Sequence, residues 1–372
     1  MNISTIAFPR MHKGPEEKRD FLPSLFGKMG RLTDKEIFLE TGYGKDLGFT
    51  HKDYLKENPR LIFLESLDEL YSKDLVIVVR APKKSVIAKM KKGSILFSML
   101  HYEARPVRNH LIQKTGILPF SMDGIINDEG KRLFVTYEGT ANPAVKVAFQ
   151  ELKKRHPEFS SPGRSPLQAV VVGIGPVGQK ATRAFQKISD AEFLPQKLPG
   201  LIVTVLSRAV LQDEKALKNI LSSADILADA TKRKDTSKFI IRNSMLGNLP
   251  EHAVILDITA DPYNADAEPP IVKGFEGIPY GTLEKYVIDT DDPLYDEIPP
   301  FVDTSNRRLC ISCNAWPSFE AKKCMKIYED QLIPFLSILL KNGPKDISED
   351  SDYPMNRALA RSTLKWFRKH HK

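Results

Sequence analysis

Residues 170–179, VVVGIGPVGQ, constrain what this chain can fold into more than any other stretch. Gly173, Gly175 and Gly178 stand in G-x-G-x-x-G spacing, with an apolar run at 169–172 before them and a helical pattern at 179–186 after them. Each glycine answers a steric demand. The first permits a tight turn, the second lets the backbone approach a pyrophosphate, and the third lets helix and strand pack closely. Pro176 and Val177 fall where a helix begins and offers unbonded N–H groups and its positive dipole end to an anion. In this context Gly173, Gly175, Pro176, Val177 and Gly178 read as a dinucleotide cradle. The bland alternative is a structural glycine turn in an empty α/β domain.

The next apolar run, 201–206, ends in Ser207 and Arg208. A carboxylate there would hold the ribose 2′-hydroxyl of NAD, whereas a hydroxyl and a guanidinium can bind a 2′-phosphate. NADP is therefore expected over NAD, the alternative being an Arg208 that faces solvent in an NAD-using protein. Ser207 lies about 29 residues beyond Gly178 rather than the usual ~20, and 191–200 reads as an inserted loop.

The rest of the chain alternates in the same way. Strands are expected at 3–8, 38–39, 74–80 and 94–101, separated by amphipathic segments. A helix is expected from 142 to 156, with apolar residues at 145, 148, 149 and 152. The Ser/Pro/Gly cluster at 160–166 reads as the best boundary, and further strands at 201–206, 224–229, 253–258 and 308–313 continue a second α/β unit. A long helix is expected over 318–340 and a polar loop over 342–353. A length of 372 residues suits two domains.

Charge and composition exclude several classes. The net charge is +8, but the lysines are scattered, and the one dense basic patch, 357–372, reads as a solvated face of a terminal helix. No nucleic-acid-reading module is recognisable, and no apolar run is long enough to span a bilayer. Residues 1–10 lack secretory or transit character, and three cysteines argue against a disulfide scaffold, so a reducing cytoplasm is expected. Cys310, Cys313 and Cys324 lack a fourth ligand, and 310 and 313 point to opposite faces of a strand; they read as buried thiols, with no metal.

Several motifs carry a family resemblance. They are Phe8-Pro9 followed by Glu17, Lys18, Arg19 and Pro23; Glu40, Gly42 and Gly44 with Gly48, Phe49 and Tyr54; Val79 to Pro82; Leu96 to His101; Asp128 to Arg132 with Tyr137; Asp257 with Asp261; and Asn314 with Pro317. Together they resemble the alanine dehydrogenase/pyridine nucleotide transhydrogenase superfamily, and within it the lysine-forming saccharopine dehydrogenases and carboxyethylornithine synthases. The resemblance implies an α/β protein of two Rossmann-like doubly wound domains, separated by a cleft and joined by long helices. Residues 1–142 and 318–372 would form the substrate domain, and 143–317 the dinucleotide domain. It implies hydride transfer between NAD(P) and the C–N carbon of an amino acid or secondary amine.

Three readings follow. The first is an opine-forming or saccharopine-type oxidoreductase that joins an amino acid to a 2-oxoacid; the second is alanine-dehydrogenase-like amination with ammonia; the third is a dinucleotide-binding protein without catalysis. A homo-oligomer is possible in each.

The resemblance also implies roles. His101, at a strand end, becomes the acid/base, since imidazole titrates near neutral pH. By itself a strand-end histidine is more often structural. Arg19 would clamp the substrate carboxylate, Asp123 would hold its ammonium, and Lys131 with Arg132 would bind a second carboxylate. Arg80 stands where the family has lysine. Arginine cannot serve as a base, so Arg80 is expected to bind a carboxylate and leave proton handling to His101. Asp261 and Asn314 would lie at the cofactor, although Asp261 before Pro262 also fits a plain turn.

Overall fold

Most of the apolar runs read above bury on both faces, the run 201–206 at a sheet edge being largely exposed or half-buried, and both sheets that they form are almost wholly parallel. The computed structural model describes residues 3–11, 14, 16–233 and 235–371. Two compact units emerge, Met1–Thr136 with Glu320–Lys372, and Tyr137–Phe319.

The first unit opens with β1 (Thr5–Phe8), α1 (Pro23–Leu32), β2 (Glu36–Glu40), α2 (His51–Glu57), β3 (Leu61–Leu64) and α3 (Leu67–Tyr71). It continues through β4 (Leu75–Arg80), α4 (Lys84–Ile87), β5 (Ile95–Met99), α5 (Pro106–Thr115) and β6 (Leu118–Ser121). The second contains α6 (Tyr137–Arg155), β7 (Leu167–Val172), α7 (Pro176–Phe193), β8 (Leu201–Leu206), α8 (Arg208–Gln212) and α9 (Glu214–Leu221). Then come β9 (Ile226–Asp229), α10 (Asn243–Leu246), β10 (Val254–Asp257), β11 (Val287–Ile288) and β12 (Leu309–Ser312). The chain returns to the first unit with α11 (Ala321–Asn342), α12 (Pro354–Arg361) and α13 (Leu364–His370).

The sheet orders are β3-β2-β1-β4-β5-β6 and β11-β12-β10-β9-β7-β8. Each is doubly wound about its first strand, so each has a switch point, between β1 and β4 and between β7 and β9, where open α/β sheets bind ligands. Among the described strands, only β11 runs antiparallel to its neighbour. The strand period is visible in the core: Ala169 and Val171 join one apolar layer, Val170 and Val172 the other. Cys310 and Cys313 divide between the same two layers, as strand spacing requires, and both are buried and free.

The fold corrects several readings. The strands β3 and β6 were not foreseen; β3 is a short, partly exposed edge, and β6 carries Pro119, which lacks an N–H and is tolerated at an edge. The 160–166 cluster lies inside the second unit, as a turn between α6 and β7. Arg164 locks it there, through its guanidinium bonds to the carbonyls of Phe159, Ser165 and Pro199. Proline and glycine mark a change of direction, and composition does not distinguish a packed turn from a linker. The stretch 191–200 is not an inserted loop: α7 runs on to Phe193, and a longer helix accounts for the spacing to Ser207.

The basic tail also differs from its reading. Arg357 and Arg361 are bound to Asp128, Arg357 through Nη2 at 2.6 Å and Arg361 through Nη2 at 2.7 Å. They draw α12 onto the 127–131 turn, and α13 supplies the more exposed charges. Lys372 lies outside the described residues. No described helix is long and apolar enough to cross a membrane.

Candidate functional site

The candidate substrate site is built at the carboxyl ends of β1, β4, β5 and β6. Beyond β1 the backbone is braced from beneath. Asp20 accepts from Met11 N at 3.2 Å and Gly44 N at 2.9 Å, and Glu40 accepts from Arg10 N at 2.7 Å. Gly44 has φ +73°, and a Cβ there would sit 2.1 Å from the Tyr54 hydroxyl, which bonds Phe21 O at 2.8 Å. The motifs at 40–54 therefore act as scaffolding for the loop that carries Glu17 and Arg19. Burial pushes the Asp20 carboxyl up to about 6 despite those two N–H donors.

Arg19 does not present an open fork. Its Nε and Nη2 grip Glu17 at 2.8 and 2.7 Å, and both residues are buried. Burial opposes the Arg19 charge, and Glu17 outweighs that cost. Arg80, at the end of β4, is half-buried; its Nη1 lies 3.3 Å from the same Glu17. Its N–H meets Met11 Sδ, tying the ends of β1 and β4 together at the switch point.

His101 follows β5 in a left-handed backbone conformation, φ +48°, which a non-glycine residue adopts at a steric cost. Asp123 holds it there. One carboxylate oxygen accepts from His101 N at 3.2 Å, and the other lies 3.2 Å from Nδ1. Ser121 donates to Asp123 at 2.7 Å. Burial works against the Asp123 charge, but His101, Arg132 and Ser121 hold the carboxyl well below its usual range. The carboxylate thus accepts a hydrogen bond from Nδ1–H, which stays on the ring, and leaves Nε2 facing outward, with the imidazole exposed. Asp123 was expected on substrate ammonium; the structure places it on histidine.

Arg132 follows a hairpin-like turn in which Lys131 N donates to Asn127 Oδ1 at 2.8 Å. Lys131 is exposed, whereas Arg132 is half-buried with an Nε that has no partner. Sequence reasoning missed Arg108 on α5, whose Nε is likewise buried and unpartnered. Burial, with Arg105 beside it, depresses its guanidinium to about 10. No motif spacing marks it.

In the second unit, the glycine turn has the shape its spacing predicts. Gly173 has φ +107°, and a Cβ would stand 2.8 Å from Ala230 O; a Cβ on Gly178 would stand 2.0 Å from Gly173 O. At Gly175 nothing lies within 4 Å of the added Cβ. Gly175 caps α7 with no side-chain hydrogen bond, Pro176 opens the helix, and the first turn carries no acidic residue. An open glycine and an uncapped helix start fit a pyrophosphate, and Val177 and Gly178 sit in that first turn. Ser207 and Arg208 are exposed at the end of β8, and Leu206 pairs with Val172 immediately before the cradle.

Asp261 and Asn314 lie beyond the ends of β10 and β12. Asp261 pairs with Arg233 at 2.8 Å, and Ala260 before it is left-handed at φ +48°. Asn314 is half-buried, and its N–H bonds Gly281 O. Beneath them lies a buried set to which sequence reasoning gave no role, although Asp257 stood in a family motif. Asp257 takes Lys273 Nζ at 2.5 Å and Ser312 Oγ at 2.8 Å. Asp229 bonds Thr231, while its Oδ2 is buried without a partner. Burial, then the neighbouring Asp257 charge, pushes Asp229 up to about 7. An aspartate closing an otherwise apolar strand was the available signal.

At the amino ends of β9 and β10, His156, Asp225 and His252 cluster, with His252 Nε2 at 2.8 Å and His156 Nε2 at 3.5 Å from Asp225 Oδ1. His156 Nδ1 accepts from Glu158 N, which leaves the proton on Nε2, so the trio is a hydrogen-bonded lock on β9 rather than a ready ligand set.

Residues 20–137 match the family model described as alanine dehydrogenase/PNT, N-terminal domain. The chain is 23% identical to an alanine dehydrogenase of Halomonas elongata over 375 residues, covering 94% of this chain and 91% of the relative. It is 21% identical to one from Mycolicibacterium smegmatis, over 61% of this chain and 64% of the relative. A solved L-alanine dehydrogenase superposes with a TM-score of 0.70 at 16% identity, covering 96% and 94% of the two chains. A transhydrogenase from Sinorhizobium meliloti superposes with a TM-score of 0.60 at 13% identity, covering 90% and 94%. The narrower likeness to saccharopine dehydrogenases or carboxyethylornithine synthases finds no support among these matches.

Proposed function

We propose, from the alanine dehydrogenase/PNT superfamily that these matches support, that this protein is an NAD(P)-dependent amino-acid dehydrogenase acting on a C–N bond. The observation that carries the reading is the His101–Asp123 pair at the carboxyl end of the first unit's sheet. It is an imidazole oriented through Nδ1, with the charges of Arg132 and Arg108 close to the same carboxylate. Arg80 and Arg132 hold the substrate carboxylate. His101 Nε2 gives or takes the proton on the substrate nitrogen or on the carbinolamine oxygen, and Asp123 fixes the tautomer and steadies the imidazolium. A bound nicotinamide supplies or accepts the hydride. The alanine-dehydrogenase relatives favour free ammonia as the amine over an opine-type condensation.

For the cofactor, Gly173, Gly175, Val177 and Gly178 hold the diphosphate, and Asp261 and Asn314 flank the nicotinamide end. Ser207 and Arg208, with no carboxylate beside them, favour NADP(H). The relatives lend that preference no support, so it rests on these two residues alone.

The test follows NADH and NADPH oxidation with pyruvate, glyoxylate or 2-oxoglutarate, each against ammonia, lysine and ornithine. Turnover with ammonia alone supports the reading. Turnover that requires lysine or ornithine replaces it with the opine-type reaction. Cofactor binding without turnover on any pair replaces it with a dinucleotide-binding protein that lacks catalysis.

A further inference from the structure

We infer that Asp229 is a proton store at the foot of the glycine turn, and that dinucleotide binding there draws a proton from water onto its carboxyl. The inference rests on the reading of the second unit as the dinucleotide unit, and it adds a regulatory property to that site: an affinity set by pH.

Three observations carry it. First, Asp229 sits directly beside the cradle. It closes β9 in register with Val172, the residue before Gly173. Ala230, which follows it, donates its N–H to Val172 O at 3.0 Å, and its own carbonyl oxygen stands 2.8 Å from where a Cβ on Gly173 would be. Second, the side chain has an unmet oxygen. Thr231 donates its N–H at 3.0 Å and its hydroxyl at 2.7 Å to Oδ1, while Oδ2 is buried with no partner. Gly274 closes over that oxygen: a Cβ there would lie 2.2 Å from it. A buried carboxylate oxygen without a donor is costly, and a proton on it removes the charge. Third, the charges around Asp229 balance only when it is neutral. Asp257, its register neighbour on β10, and Asp261 beyond β10 are the carboxylates that face it. Lys273 is committed to Asp257 at 2.5 Å, and Arg233 to Asp261 at 2.8 Å. Among the described residues, three carboxylates of this set therefore share two cations, and Asp229 is the one left over. Burial and the Asp257 charge bring its titration to about 7, so the proton exchanges at neutral pH. A diphosphate on the cradle adds negative charge beside a carboxyl that water screens little, and the neutral form is favoured. One O–H bond forms at Asp229, and the buffer supplies the proton. By linkage, the affinity for the dinucleotide falls as pH rises through that range.

The experiment uses the full chain and calorimetric titration with NADH and with NADPH at pH 7.5, in phosphate and in Tris, whose ionisation heats differ and so report the protons exchanged. The expected result is uptake of a fraction of a proton per site, on the order of half. Asp229→Asn should remove that uptake. Each nucleotide's own titration is common to both proteins, so the difference belongs to Asp229. Between pH 6 and pH 9 the affinity of the unaltered protein should fall about threefold or more beyond any fall in Asp229→Asn. Equal uptake in the two proteins, or release in place of uptake, overturns the inference and leaves the dinucleotide reading intact. Failure of either nucleotide to bind at any pH overturns both. Should Asp229→Asn not fold, infrared difference spectra of the unaltered protein replace it. Growth of a protonated-carboxyl stretch on nucleotide binding at pH 7.5 supports the store, and an unchanged carboxyl region overturns it.

Discussion

The Asp123 carboxylate performs two tasks at one residue: it bonds the backbone N–H of His101, which pins a left-handed φ, and it faces the ring Nδ1. Replacing it with asparagine keeps the shape and removes the charge that selects the tautomer. Asp123→Asn is expected to lower kcat by ~10²–10⁴, the range for losing a positioned acid/base, and His101→Gln by a similar factor. The double variant should be little worse than either single one, since the two act as a unit; additive losses in steady-state kinetics would separate their roles. Asp229 makes a different prediction. Its folded pKa, about 7, lies above the ordinary 3.8, so the native state binds more protons than the unfolded one between those values. Its contribution is full below pH 4 and is lost as pH rises through about 7. Asp229→Asn should flatten that part of the pH–stability curve in urea melts, and an unchanged slope would sink the assignment. His101 was legible as a candidate only through the motif running from Leu96 to His101, since a strand-end histidine by itself is more often structural. Asp123's attachment to histidine was not, because a hydrogen bond between β5 and β6 has no signature in spacing.

At the scale of elements, the glycine turn was the most legible part of the chain because its demands are local. Gly173, Gly175 and Gly178 answer steric limits within one strand–turn–helix unit. Gly178→Ala puts a Cβ 2.0 Å from the carbonyl oxygen of Gly173, where backbone must move. The expected cost is ~1–3 kcal/mol of stability, as for other overpacked sites, together with weakened dinucleotide binding. Chemical denaturation and fluorescence titration with NADH and NADPH check both, and full binding with native stability would show the turn to be loosely packed. The edges were less legible. Pro119 in β6 argues against a strand unless it is known to lie at an edge, and an edge is a property of the sheet. Arg357 and Arg361 looked like solvated charge along a terminal helix. They are instead committed to Asp128, more than 200 residues away, and that partnership exists only once α12 has docked.

For the whole molecule, the chain carries two doubly wound units, and the proposed reading gives the dinucleotide to the glycine turn of one and the substrate to the histidine of the other. Cofactor binding to the folded chain should raise its thermal midpoint, since ligand at a hundred times its Kd adds ~2.7 kcal/mol. NADPH is expected to shift the melt more than NADH, and Arg208→Asp to reverse the order; a larger NADH shift in the unaltered protein would refute the 2′-phosphate assignment. The sequence by itself determined what depends on neighbours along the chain: strand periodicity, the glycine turn, the missing carboxylate after β8, and imidazole at the end of β5. Only the tertiary structure decided which charges meet. It gave Arg19 and Arg80 to Glu17 and Asp123 to His101, and left Arg108 and Arg132 with unmet donors. The reason is physical. A backbone conformation is selected within a few residues, whereas the partner of a buried charge is selected by whichever element folding brings within about 3 Å, where water no longer screens the choice.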